Sequence, residues 1–354
     1  MGYLDTIQGA VIQGDWDTLN NEAQAWTAEL ERESGAGGPR DPRAYFALNV
    51  VHLLRGEVRE AWGAHARSLQ DAPDIAKVRA WTEPLLAQHG DKASVQLVVG
   101  LFLAQSGQSE QSVERYKEAA KLDPVSPHPH YFLAQIHERA GRQEMAIKEY
   151  REAVRLEPSY TLARTNLGVL YQEQGRLEMA IPQYREVIKL KPEDAVAHAN
   201  LACALAEQGK FESALVEYKE ALRLNPEDAE LHYSMGGIYE TKGRLELAMS
   251  EYAAATRFDP TFAPAETAMG WLLIGKGRNG EATEAFNRAL KSNPNDASAY
   301  FGLGRIYAQQ GRPALASEHY NKAVKLEQDP EKKSSIMNHL VKEGNLEGGM
   351  TLDE

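Results

Sequence analysis

One 34-residue beat runs through this chain and fixes what it can fold into. Residues 161–194 and 195–228 are two aligned copies of one unit, identical at 14 of 34 positions. Prolines recur at that interval at Pro124, Pro158, Pro192, Pro226, Pro260 and Pro294. Glycines keep the same phase from Gly107 through Gly141, Gly175, Gly209, Gly243, Gly277 and Gly311. A ring follows nine residues after each, from Tyr116 through Tyr184 and Tyr252 to Phe286 and Tyr320. Small residues hold two further slots, Gly168 and Ala180 in the third unit and their counterparts elsewhere. A fixed period of this length means stacked supersecondary units, not a single globular core.

Each series has a mechanical reading. Within residues 161–194, Leu162 to Gln174 and Leu177 to Leu190 carry apolar residues at three- and four-residue spacing and read as two helices. Gly175 between them can take positive φ at a helix end. Pro192 stops the second helix and fixes the chain's exit. Gly168 and Ala180 let the helices approach closely, and Tyr184 fills the space beside the crossing. A lone hairpin leaves one face wet, so neighbours must stack on it.

The pattern Asn166-Leu167-Gly168-x-x-Tyr171, with Ala180, Tyr184 and Pro192, resembles the tetratricopeptide repeat, or TPR. The resemblance implies an all-α, right-handed superhelical solenoid of antiparallel helix pairs. Seven units are expected over 93–330: 93–126, 127–160, 161–194, 195–228, 229–262, 263–296 and 297–330. Ser112 replaces the usual alanine in the first, and Gln328 replaces the proline in the last.

Residues 1–92 form a divergent N-terminal segment. Residues 3–33 read as a helix pair turning at Gly14-Asp15-Trp16, and 34–41 as a loop. Residues 42–75 fit the unit again, with Gly56, Ala61 and Pro73 in their slots and His65 in place of the ring. Residues 76–90 break the period as one extra helix containing Pro84. Four of five tryptophans, Trp16, Trp26, Trp62 and Trp81, precede that break. They admit two readings, core filling in degenerate repeats or a partner or dimer surface. Pro182 lies inside a second helix, which must start late or bend there, whereas Pro313 suits a first helical position. After Pro330, residues 332–342 form a capping helix using Ile336, Met337, Leu340 and Val341, followed by a tail.

Chemistry is sparse. Gly275 to Gly280 matches G-x-G-x-x-G but lies between helices, where a dinucleotide site needs a preceding strand. His130, His198 and His232 share one slot, which admits either a stacked metal site or inter-helix packing; the family's bulky residue in that slot points to packing. Cys203 lacks regularly placed His and Asp partners. No nucleophile elbow, H-E-x-x-H or Walker A sequence occurs, so no catalysis, metal or cofactor is expected. The net charge of −12 argues against nucleic acid. One cysteine fits a reducing compartment, and the absence of a long apolar run argues against membrane insertion, so a cytoplasmic location is expected.

What remains is a surface. The resemblance implies that first helices line a concave groove, and its inward slots place Tyr131, Phe132, Gln135, Asn166, Asn200, Tyr233, Trp271, Phe301 and Arg305 there; the rings among them either stand partly exposed as anchors or pack between neighbouring repeats. Asn166 and Asn200 occupy one slot of successive units, similar to the asparagine ladder in the TPR superhelix of O-linked N-acetylglucosamine transferase. A side-chain amide both donates and accepts, so a spaced pair can grip an extended backbone; asparagine is also simply common in the motif. The cationic slots of the chaperone-type carboxylate clamp hold Leu162 and Glu230 instead. The expected function is therefore a non-catalytic scaffold binding a protein or extended peptide in that groove, one with basic and apolar residues being the better match. A targeting or regulatory part of a larger enzyme or secretion complex, and a self-associating platform, are the alternatives.

Overall fold

A computed structural model describes residues 3–34, 46, 47, 50 and 75–342. All regular structure among them is α-helical. The chain divides into two compact units, Met1–Leu190 and Lys191–Glu354. Most of the repeat expected over 42–75, with Gly56, Ala61, His65 and Pro73, lies outside the described residues, as does the tail after Lys342.

The first unit opens with the hairpin α1 (Tyr3–Gln13) and α2 (Trp16–Ser34), turning at Gly14 with φ 68°. The extra helix α3 (Ile75–His89) contains Pro84. Three pairs follow: α4 (Ala93–Gln105) with α5 (Ser109–Leu122), α6 (His128–Arg139) with α7 (Gln143–Leu156), and α8 (Thr161–Glu173) with α9 (Leu177–Leu190). The second unit holds four: α10 (Ala195–Glu207) with α11 (Phe211–Leu224), α12 (Ala229–Thr241) with α13 (Leu245–Phe258), α14 (Ala263–Gly275) with α15 (Asn279–Ser292), and α16 (Ala297–Gln309) with α17 (Pro313–Leu326). Helix α18 (Pro330–Lys342) closes it.

The local chemistry explains where helices start and stop. Asp194, Asp228 and Asp296 precede α10, α12 and α16, and each accepts backbone N–H bonds from the first turn. Those donors have no partner within the helix, so the carboxylate caps them. At the far end of α10, Gly209 takes φ 77° and donates to the Ala206 carbonyl, while Lys210 donates to Leu205. This double bond set is the Schellman closure, and it requires the left-handed conformation that glycine adopts without strain. Helix α9 begins at Leu177 and runs through Pro182, so it does not start late; Pro313 sits in the first turn of α17, as its position implies.

Within a pair, a ring lies directly on bare helix backbone. A Cβ on Gly168 would come 2.6 Å from the Tyr184 ring, and one on Gly236 2.5 Å from Tyr252. The same interlock joins Gly270 to Phe286 and Gly304 to Tyr320. These rings are fully or almost fully buried, and alanines such as Ala214, Ala248 and Ala282 complete the crossing. At the end of the array, α18 lays Ile336 and Leu340 on a cluster of Ala316, Tyr320 and Ala323. Near the start, Trp26 stacks on Tyr3 at 6.1 Å inside the first hairpin, which gives this tryptophan a packing role. Trp16 is half-buried, and Trp62 lies outside the described residues.

Candidate partner-binding face

Successive first helices touch each other directly, α4 with α6 in the first unit, and α10 with α12 and α14 with α16 in the second. They therefore form one wall of each unit, and the candidate residues all lie on first helices.

In the first unit the structure corrects two expectations. Tyr131 and Phe132 are each only 3% exposed, so neither is a contact point on an open surface. Phe132 stacks on Tyr116 of the preceding pair at 5.6 Å, and Tyr131 packs against Tyr150 and Tyr160. Burial pushes the Tyr131 hydroxyl up to about 12. Gln135 Nε2 donates to that hydroxyl at 3.0 Å and remains half-buried. Asn166 donates to the Tyr150 hydroxyl at 3.0 Å, and Tyr150 in turn donates to Glu138 at 2.7 Å.

Asn166 occupies a recurring slot. Phe132, Asn166, Ser234 and Gly302, spaced by multiples of 34 residues, each meet the ring of the preceding pair. Phe132 stacks on Tyr116, Asn166 bonds the Tyr150 hydroxyl, and Ser234 bonds the Tyr218 hydroxyl. Where the ring is Phe286, with no hydroxyl, the slot holds Gly302. The Asn166 amide is thus partly engaged within the protein.

The second unit carries the open part of the wall. Asn200 on α10 is half-buried. Tyr233 on α12 is half-buried between Tyr252 at 5.6 Å and Phe262 at 5.4 Å. Trp271 on α14 and Phe301 on α16 are also half-buried, with ring centroids 5.5 Å apart. The Arg305 guanidinium lies 5.6 Å over Trp271. The indole N–H donates to the Ser298 hydroxyl at 2.9 Å, and His339 of α18 reaches Phe301 at 5.3 Å. Sequence singles out neither Ser298 nor His339. Ser298 is an ordinary small residue, and His339 belongs to the cap, which lies outside the period.

The histidine slot is a brace between helices. Nδ1 of His130, His198 and His232 meets Glu149, Glu217 and Glu251 at 2.6, 2.7 and 2.7 Å. In the intervening pair Arg164 takes the slot, bonding Gln183 and the Pro158 carbonyl. His198 and His232 likewise meet the carbonyls of Pro192 and Pro226. Each occupant ties its own second helix, and the Arg164, His198 and His232 brace also holds the preceding exit turn; this is the packing role, not a shared ligand set. Gly275 ends α14, Gly277 is the turn at φ 71° and Gly280 lies in α15, so the glycine-rich stretch is a helix–turn–helix joint. Cys203 is exposed, and its thiol meets Glu207 at 3.4 Å.

Tetratricopeptide repeat models match residues 229–262 and 267–332, and a TPR repeat model matches 139–175, 171–209 and 203–243. Together they span more than half of the chain. No curated protein matches the sequence. Among solved structures, a tetratricopeptide repeat protein of Parabacteroides merdae is similar at 16% identity and TM-score 0.56, over 70% of this chain and 98% of that one. The C-terminal part of a TPR repeat-containing protein of Cytophaga hutchinsonii is similar at 13% identity and TM-score 0.54, over 68% and 99%. Yeast Tom70 aligns over 96% of this chain and 88% of its own at 15% identity, with a TM-score of 0.49.

Proposed function

Because the chain belongs to the tetratricopeptide repeat family, we propose that it is a non-catalytic scaffold that binds a partner protein, or an extended segment of one, along the first-helix wall. The observation that carries this is the row of half-buried rings, Tyr233, Trp271 and Phe301, on three successive first helices of the second unit. The interlocking core uses a different set of rings, Tyr218, Tyr252, Phe286 and Tyr320. The wall rings therefore offer large apolar faces beyond what the hairpins need to close, and such rings are typical anchors at protein interfaces. Asn200 and Arg305 flank them with polar groups. In the first unit Gln135 and Asn166 are separate candidates, with Tyr131 and Phe132 packed beneath that unit's own wall. Glu207 and Glu230, on α10 and α12, suit basic residues in the stretch of ligand that lies there.

The test is quantitative binding after a partner has been identified by affinity capture and mass spectrometry. Tyr233→Ala and Phe301→Ala, each shown by circular dichroism to stay helical, should weaken the purified partner by roughly tenfold or more, the size of an aromatic hot spot. Unchanged affinity in both folded variants would move the binding site elsewhere.

A further inference from the structure

The wall of the second unit changes sign along its length. On α10 and α12 its charges are Glu207, Glu230 and Glu240. On α14, Glu266 is buried and held by Arg288 through two bonds of 2.8 and 2.9 Å. On α16 the wall charge is Arg305, which pairs with no carboxylate among the described residues and lies only against the Trp271 ring. The surrounding sequence follows the same trend. Between Ala297 and Lys342 seven lysines and arginines face four acidic residues, in a chain whose net charge is −12.

Under Arg305 the surface is apolar and fixed. Trp271 abuts Phe286 edge-on at 5.6 Å, and Phe301 continues the row to Tyr320 and His339. Gly270 and Gly302 bring α14 and α16 against Phe286, where a Cβ would stand 2.6 and 2.3 Å from the ring. The two helices cannot slide without breaking that interlock, so the rings form a preset shelf rather than an adaptable patch.

We propose that this shelf takes a segment of a partner protein in which an acidic side chain stands beside an apolar one. The carboxylate meets the Arg305 guanidinium, whose planar fork suits it, and the apolar neighbour covers Trp271 and Phe301. Seating Arg305 on an aromatic face orients the fork before the ligand arrives. This deepens the reading of the wall as a partner site and rests on it; it commits the α14–α16 end to acidic ligand chemistry, opposite to the α10–α12 end.

The experiment uses the full chain and two fluorescein-labelled peptides with blocked termini, one alternating glutamate with leucine and one alternating lysine with leucine. Anisotropy titration should show glutamate-peptide binding that depends on Arg305, whereas binding of the lysine peptide, which suits the acidic α10–α12 end, should not weaken when Arg305 is replaced. Arg305→Glu should weaken the glutamate peptide at least tenfold, and added salt should weaken it in the wild type. Arg305→Gln, which only removes the charge, tests the same contact if the reversal disturbs folding. Failure of the glutamate peptide to bind, or its indifference to both Arg305 variants, overturns the proposal. The two levels separate cleanly. If Phe301→Ala weakens the natural partner while the lysine peptide is the one bound, the wall stands and its acidic preference falls. If the partner ignores Phe301 while the glutamate peptide binds through Arg305, the shelf stands and the partner's site lies elsewhere.

Discussion

Two neighbouring glycines of α12 should respond oppositely to the same added methyl group. A Cβ on Gly236 would lie 2.5, 2.7 and 3.1 Å from three carbons of the Tyr252 ring. Carbon atoms prefer about 3.5–4.0 Å, so the ring must move by about 1 Å. It has little room, being 2% exposed, and its hydroxyl is tied to Glu240 at 2.6 Å. Overpacking of this kind costs about 1–3 kcal/mol, and strain on a bond to a charged group adds up to about the same. Replacing a mid-helix glycine returns about 1 kcal/mol of helix propensity. Gly236→Ala should therefore destabilise by about 2 kcal/mol. At Gly237 the nearest atom to a new Cβ is the Tyr252 hydroxyl at 3.9 Å, an ordinary contact. Gly237→Ala should stabilise by about 0.5–1 kcal/mol. Urea melts of the full chain would give midpoint shifts of opposite sign. Repeat arrays can unfold in steps, so amide exchange in α12 and α13 supplies the local reading. Two shifts of the same sign and size would refute the interlock as the source of the glycine requirement.

Asp228→Ala removes the carboxylate that accepts from the Glu230 and Leu231 amides, and should cost about 1 kcal/mol in a urea melt, with fraying confined to the start of α12. Tyr150→Phe deletes the hydroxyl shared by Glu138 and Asn166 and should cost about 1 kcal/mol; Asn166→Ala should then cost less in the Tyr150→Phe background than in the wild type, as a double-mutant cycle would show. Alkali should unfold the protein through its tyrosines. Burial holds Tyr131 at about 12 and raises Tyr116, Tyr150, Tyr218 and Tyr252 as well, against an unfolded value near 10. A raised folded pKa contributes stability in full below about pH 10, and that contribution fades as the pH rises through about 12. Loss of helical dichroism should accompany this rise, and full tyrosinate absorbance near pH 10 with helices intact would contradict it.

The helix pairs and their joints are readable in the sequence because their signals are local. A left-handed residue at Gly175 or Gly243 needs only itself and its own helix end, and the glycine beat marks each such joint. Pro182 leaves two readings open in sequence, a late start or a bend, and the structure removes the first: the five residues before it are held in helix by packing such as that of buried Ala180 and Ile181. The wall is readable only as a set of slots. How open each slot is depends on its neighbours, which the slot alone does not state. Tyr131 and Tyr233 occupy one slot and pack on equivalent rings, Tyr150 and Tyr160 or Tyr252 and Phe262, yet Tyr131 also meets Phe132 at 5.2 Å and is buried, while Tyr233 is followed by Ser234 and stays half-buried. Asn166 reads as a ligand grip in sequence because its partner, Tyr150, lies 16 residues away in the preceding helix pair. Comparing that slot with the preceding ring across units exposes the match of amide to hydroxyl and of glycine to Phe286.

The central claim is that the first-helix wall of the second unit is where a partner lies. Amide exchange of the full chain with and without its captured partner tests it most directly. Slowed exchange is expected in α12, α14 and α16, strongest around Trp271 and Phe301. Slowing confined to the second helices α11, α13 and α15, or to the α1–α2 hairpin, would contradict it.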